Sequence, residues 1–415
     1  MTVSARVDAA RLAHELDVLA GFSDAPAPAV TRVVFSRTDL DARRYFKTLC
    51  ADAGLDVRED AVGNTFARWV GANPDLPVVA TGSHIDAIPN AGRFDGTVGV
   101  LGGLEAIRAL KQSGFVPRRS IEVVQFTSEE PTRFGIGCLG SRLLSGQLDE
   151  SADDSLVDGD GRSLATLRAV AGFTGTLASV RLPPGACAAF VELHIEQGPL
   201  LEAAGLDIGV VTAIAAPASL RITIEGEGGH AGAVLMPDRR DALLAAAEIA
   251  LAVEAAARGT GAIDTVATVG VCEVFPGAVN SVPSRARLEV DVRDVDRVRR
   301  DGVLAEIRHA CDAVATRRRV TVQIDVVNAD SPAWCDGRVV ELITEACEAR
   351  GFGHQPMVSR AYHDSLFMSR VAPTGMIFIP CRGGVSHRPD EYAAPEAIAR
   401  GTAVLADTLA SLSNG

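Results

Sequence analysis

The chain has 415 residues, more than one hydrophobic core usually serves, so about two domains are expected. With 53 acidic against 40 basic residues, a net charge of −13, it is poorly suited to nucleic acid or an anionic membrane surface as partner. An apolar fraction of 47% is ample for packed cores, and eight cysteines without a CxxC pair read as buried thiols of a reducing cytosol.

The first segment, MTVSARVDAARLAHELDVLAGF, places apolar residues at helical spacing but interrupts them with Arg6, Asp8, Arg11, His14 and Glu15, unlike a signal peptide. No window approaches the ~18 uncharged apolar residues of a membrane span, so a soluble, cytoplasmic protein is expected. A helix follows over about 37–53, closed by Gly54, then strands near 56–59 and 64–70, the buried strand PVVATGS, a helix near 97–113 and the strand IEVVQF. Strands separated by helices imply parallel βαβ units. Lys47 and Lys111, the chain's two lysines, both lie in surface-patterned helices, which disfavours lysine-dependent chemistry.

CAAFVELH reads as a further core strand, and toward the C-terminus a helix near 336–350 precedes MIFIP and a last helix over about 395–412. Between them the rhythm changes. The strand SLRITIEGEG, the helix DALLAAAEIALAVEAAA, the strands TVATVGVCEV and RARLEVDVRD, a helix near 295–316 and the strand RVTVQIDVV form a βαββαβ series. A domain over 214–326 inserted into one made of 1–213 and 327–415 accounts for this order, and inserted domains often serve as lids.

Five residues able to bind metal follow core strands: His84 in GSHID, Asp95 in GRFDG, Glu130 in TSEEPTRFG, His194 in ELHIEQGP and His387 in GVSHRPDE. In open α/β sheets functional groups gather beyond the carboxyl ends of strands, so sequence distance is no obstacle to one shared site. His84 and Asp86, two apart, would share a face if strand geometry persists, one ligating and the other accepting the second ring N–H. Glu129 and Glu130 point in different directions, which supplies one metal ligand and one general base from a single loop. The glycine-rich GTVGVLGGLEA lacks the order of a nucleotide loop and reads as a tight helix start behind Asp95.

TGSHID, GRFDG, TSEEPTRFG, ELHIEQGP, GHAG, NSVPS, DVRD and the final SH resemble, in order and over nearly the whole chain, the dinuclear metallopeptidase-like amidohydrolases. That family includes N-carbamoyl-L-amino-acid hydrolases, allantoate amidohydrolases and ureidoglycolate amidohydrolases. The resemblance implies an α/β fold: a mixed-sheet catalytic domain with an inserted ferredoxin-like βαββαβ domain for closure and dimerisation. It also implies two divalent ions per subunit, Mn²⁺ or Zn²⁺, bridged by Asp95. His84 and His194 would complete one side and Glu130 with His387 the other, unless His84 and His387 exchange, and Glu129 would be the general base.

The resemblance further implies that Arg293 and Asn280 bind a substrate carboxylate, that His230 polarises the substrate carbonyl across a homodimer interface, and that Gln197 contacts the ureido or carboxylate end. Where relatives carry a GAGHD-like stretch, this chain has SRAYHDSLFMSR, placing Tyr362 beside His363. A phenol there shrinks the pocket and offers a donor to a substrate hydroxyl, which suits a small ureido acid. Hydrolysis of (S)-ureidoglycolate to glyoxylate, ammonia and carbon dioxide is therefore the expected activity. The alternatives are allantoate or N-carbamoyl-L-amino-acid hydrolysis, a peptidase or aminoacylase on the same scaffold, and a non-catalytic carboxylate-binding dimeric scaffold.

Overall fold

A computed structural model describes residues 5–415; residues 1–4 of the first segment lie outside the described residues. The chain forms two compact units. The first comprises the chain up to Thr212 with Trp334–Ser359 and His363–Gly415, the second Ala213–Ala333 with Arg360–Tyr362.

The first unit is built on a nine-stranded mixed sheet. Its main run, in spatial order, is Ile208–Ile214, Thr374–Ile379, Cys187–Ile195, Val78–His84, Ile121–Phe126, Thr65–Trp69 and Asp56–Glu59. The four central strands are mutually parallel, while Thr65–Trp69 and Ile208–Ile214 pair antiparallel at the flanks. Near-continuous apolar runs explain the parallel centre, since such strands bury both faces. Val79, Ile121, Val123, Val191 and Ile377 pack on one side against the helices Ala9–Ala20, Thr97–Gln112, Gly337–Arg350 and Pro395–Asn414. Ala80, Val124, Phe126 and Phe190 pack on the other against Leu139–Ser145 and Leu164–Val170.

In the second unit a four-stranded antiparallel sheet has the order Val266–Phe275, Arg285–Asp294, Ala216–Glu225, Thr321–Ala329. Along the Arg285–Asp294 strand Ala286, Leu288, Val290 and Val292 are buried beneath the helices Ala242–Gly259 and Arg297–Arg318, while Arg287, Glu289, Asp291 and Arg293 alternate onto the opposite face. The unit extends past the expected boundary at 326 because its last strand runs to Ala329. The detour Arg360–Tyr362 has no hydrophobic period to announce it. All eight cysteines are free thiols; six are buried as expected, while Cys272 is exposed and Cys335 half-buried.

Candidate metal centre

Three of the parallel strands end at a candidate ligand or just before one: Val78–His84 closes on His84, Ile121–Phe126 leads into Glu129 and Glu130, and Cys187–Ile195 carries His194. The fourth, Thr374–Ile379, leads through a glycine-containing loop to His387. Asp95 comes from the turn before the helix Thr97–Gln112. That turn is tight: Thr97 N–H donates to the Asp95 carbonyl at 2.7 Å, with Gly96 between them at φ 67° and ψ −42°. The three-residue γ-turn suits glycine, and a Cβ on Gly96 would lie 2.5 Å from the His84 ring.

Asp95 stands at the centre of two groups. Its Oδ1 is 3.6 Å from His84 Nε2 and 3.1 Å from His194 Nε2, while its Oδ2 is 3.3 Å from His387 Nε2, which is in turn 3.4 Å from Glu130 Oε1. Two ligands bound tetrahedrally to one ion at ordinary bond lengths are about 3.4 Å apart, so these separations match. Ring orientation agrees as well. His84 Nδ1 lies 3.0 Å from the Asp86 carbonyl and His194 Nδ1 2.9 Å from the Ile195 carbonyl, which commits Nδ1 as donor and turns each Nε2 toward Asp95, His194 Nε2 also accepting the Gly96 N–H at 3.1 Å. In the neutral form both rings offer Nε2 as the ligand atom beside Asp95, so the donor set fits divalent ions sharing Asp95. A third cluster, Glu192, His194 and His363, is unlike these two. Both Glu192 oxygens are already engaged, one by Ser83 Oγ at 2.7 Å and the other by the N–H and hydroxyl of Ser365 at 3.0 and 2.6 Å.

Electrostatics bears the same mark. Burial works against charge on His84, but Glu129, Asp95 and Asp86 outweigh it and raise its pKa well above the usual value. Burial likewise acts to raise Asp95, yet hydrogen bonds from His194, His387 and His84 hold it well below the carboxylate range. Burial pushes Glu130 up to about 7, and raises Glu129 well above its ordinary value against the pull of His84. Such groups keep protons where a divalent ion would otherwise supply the positive charge. Glu129 is 8% exposed, its Oε2 lies 3.7 Å from His84 Nε2, and its Oε1 accepts from the Cys138 thiol at 3.4 Å.

Asp86 differs from the expectation that its carboxylate would orient His84. The strand ends at His84, so alternation does not carry to Asp86, and the ring N–H is met by the Asp86 carbonyl. The carboxylate instead accepts the N–H groups of Glu129 and Glu130 at 3.2 and 3.1 Å, fixing the loop that carries both. Gln197 donates to Asp95 Oδ2 at 2.7 Å and leaves its own Oε1 buried without a partner, at φ 55°. His363 is 2% exposed and packs against His194, the ring centroids 4.4 Å apart and the planes tilted by 57°.

The remaining substrate candidates lie in the second unit. His230 and Asn280 are neighbours there: the Gly229–His230 and Ser281–Val282 segments pair, and Ala231 N–H donates to the Asn280 carbonyl at 2.9 Å. Arg293 Nε donates to Asp291 Oδ1 at 2.7 Å, and the guanidinium lies 5.6 Å from the Tyr362 ring.

Several buried groups escaped the sequence reading. Asp364 donates nothing while ionised, accepts from Ser141 Oγ at 2.5 Å, and is pushed up to about 8 by burial and by Glu192. Glu192 did carry a signal, a charge in the middle of an apolar strand. Glu391 and Ser386 carried none, since a polar loop hides a buried carboxylate among exposed ones.

Residues 80–411 match the sequence model of peptidase family M20/M25/M40. The chain belongs to that family. M20 proteins are metal-dependent, in keeping with the clusters around Asp95. Among its relatives, the ureidoglycolate hydrolase of Arabidopsis thaliana is 56% identical, the match covering 99% of this chain and 88% of that protein. The N-carbamoyl-L-amino acid amidohydrolase of Geobacillus stearothermophilus is 39% identical over 98% of both. Crystal structures of AtUAH in complex with glyoxylate and with (S)-hydroxyglycine each superpose with a TM-score of 0.92 at 56% identity, covering 99% of both chains. This M20 chain is thus similar over nearly its whole length to amidohydrolases acting on carbon–nitrogen bonds.

Proposed function

We propose that this M20 protein hydrolyses (S)-ureidoglycolate, yielding glyoxylate, ammonia and carbon dioxide, with two Mn²⁺ or Zn²⁺ ions per subunit. The observation that carries the reaction class is Asp95, whose two oxygens face two separate imidazole and carboxylate groups. The substrate rests on the near full-length likeness to ureidoglycolate hydrolases of Arabidopsis thaliana and Oryza sativa.

A ureido carbonyl receives electron density from two nitrogens and is a poor electrophile. Ions held by His84, Asp95 and His194 and by Asp95, Glu130 and His387 would polarise that carbonyl and acidify water. Glu129 takes the water's proton and delivers it to the departing nitrogen. Asp86 positions Glu129 through the main chain, and His363 backs His194. Loss of the ureido group as ammonia and carbon dioxide leaves hydroxyglycine, a hemiaminal that sheds a second ammonia to become glyoxylate. Arg293 captures the substrate carboxylate with Asn280, Tyr362 donates to the 2-hydroxyl, Gln197 accepts from the ureido end, and His230 reaches the carbonyl of a partner subunit's substrate in a homodimer. The second unit serves as lid and dimerisation domain.

Chelation tests the reading. Protein stripped of metal should release no ammonia from ureidoglycolate and should recover on adding Mn²⁺ or Zn²⁺. Full turnover in stripped protein contradicts it.

A further inference from the structure

The two groups that meet at Asp95 are held in different ways. His84 and His194 sit on central strands, are 2% and 0% exposed, and have each Nδ1 fixed by a main-chain carbonyl. His387 is 48% exposed, has φ 58°, and follows Gly383 and Gly384, both also at positive φ. Of the second group, Glu130 is fixed by Asp86 behind a central strand, but His387 has no such support from the sheet.

What ties it down is Glu391. This carboxylate is 5% exposed, and its Oε1 accepts the N–H groups of Phe94 and Asp95 at 2.7 and 3.1 Å. Its Oε2 lies 2.9 Å from Ser386 Oγ, which is also 2.7 Å from Asp95 Oδ2. Gly92 permits the approach, since a Cβ there would lie 2.3 Å from Glu391 Cβ. One side chain thus joins the loop bearing Asp95 to the loop bearing His387, nearly three hundred residues apart. The N–H contacts hold the main chain at Asp95, while the Ser386 contact acts on its Oδ2, the oxygen that faces His387. The Oδ1 side, facing His84 and His194, has its own supports in the strands.

We propose that Glu391, acting through Ser386, is a positioning residue that selectively sets the affinity of the Asp95–Glu130–His387 position, making it the weaker and more exchangeable of the two ion positions. The inference rests on the two-ion reading above. Ser386 has a single hydroxyl proton within reach of two carboxylates and donates to one at a time. A cation on the Asp95 Oδ2 side lowers the need for that proton there and releases it to Glu391, so the pin tightens as the second position fills.

The test is calorimetric titration of Mn²⁺ into chelator-stripped full-length protein, wild type against Glu391→Ala, Glu391→Gln and Ser386→Ala. Wild type should bind in two steps of unequal affinity. Glu391→Ala should weaken the second step by roughly tenfold to a hundredfold, the range for losing a partner of a metal ligand, and leave the first within about twofold. Glu391→Gln keeps an oxygen for the two N–H groups and should recover most of the loss. Ser386→Ala, which deletes one hydroxyl, should weaken the same step and keeps the test independent of how well the alanine variant at 391 folds. Unchanged binding in both alanine variants, or equal weakening of both steps, overturns the proposal. A wild-type protein that takes up one ion or none refutes the two-ion reading before any variant is compared.

Discussion

Replacing Gly96 by alanine perturbs the centre through a single methyl group. At φ 67° and ψ −42° the residue occupies a conformation that side-chain-bearing residues rarely adopt, costing about 1–3 kcal/mol. The new Cβ would also stand 2.5 Å from Cδ2 and Nε2 of His84 and 2.6 Å from Cε1, against an ordinary carbon contact of about 3.5 Å. The ring must therefore retreat by about 1 Å, yet it is 2% exposed and tied by Nδ1 to the Asp86 carbonyl. Breaking that hydrogen bond adds about 1 kcal/mol, so a total loss of about 2–4 kcal/mol is expected. Displacing a ligand by about 1 Å should lower turnover by about a hundredfold or more. Thermal unfolding, Mn²⁺ titration and ammonia release from one preparation check all three effects. Wild-type metal affinity and turnover in Gly96→Ala would show that the turn does not press on His84 as described.

Glu129→Gln should bind Mn²⁺ as the wild type does while kcat falls by about 10²–10⁴, the usual share of a general base; steady-state kinetics beside metal analysis decides, and undiminished kcat rejects the role. Arg293→Lys should raise KM for ureidoglycolate about tenfold with a smaller effect on kcat, because lysine cannot reproduce a bidentate fork; an unchanged KM removes Arg293 from the substrate site. Buried Asp294 accepts from Arg299, Thr265 and the Asp296 N–H; burial opposes its ionisation, but these hydrogen bonds and the Arg299 charge outweigh it and lower its pKa. Its stabilisation is thus complete above the unfolded value of about 3.9 and is lost as pH falls through the lower folded value. Asp294→Asn should be less stable than wild type at neutral pH, with the gap closing below about pH 4 in unfolding followed by circular dichroism.

Most of the fold was legible because its patterns are local. The βαββαβ series alternates apolar and polar residues strand by strand, and CAAFVELH and IEVVQF are apolar throughout, so element type followed from period alone. The clustering of the candidate ligands was legible for a topological reason: parallel strands deliver their carboxyl ends to one edge, and His84, Glu130 and His194 each stand at or just past such an end. What could not be read is whatever depends on where the chain turns. The Asp86 carboxylate was expected to take the His84 ring N–H, but the strand stops at His84 and the N–H meets the Asp86 carbonyl instead. Glu391 sits among Arg388, Asp390 and Tyr392 in a segment that looks solvated, and only the folded chain brings it beneath Asp95. The detour of Arg360–Tyr362 into the second unit, which sets Tyr362 beside Arg293, follows from neither periodicity nor composition.

The most direct measurement is ammonia release by the Mn²⁺-loaded protein from (S)-ureidoglycolate, allantoate and a set of N-carbamoyl-L-amino acids, compared as kcat/KM in parallel. The account predicts the highest value for ureidoglycolate, with glyoxylate formed alongside the ammonia. A higher value for allantoate or for a carbamoyl amino acid, or no release from any of them, would contradict it.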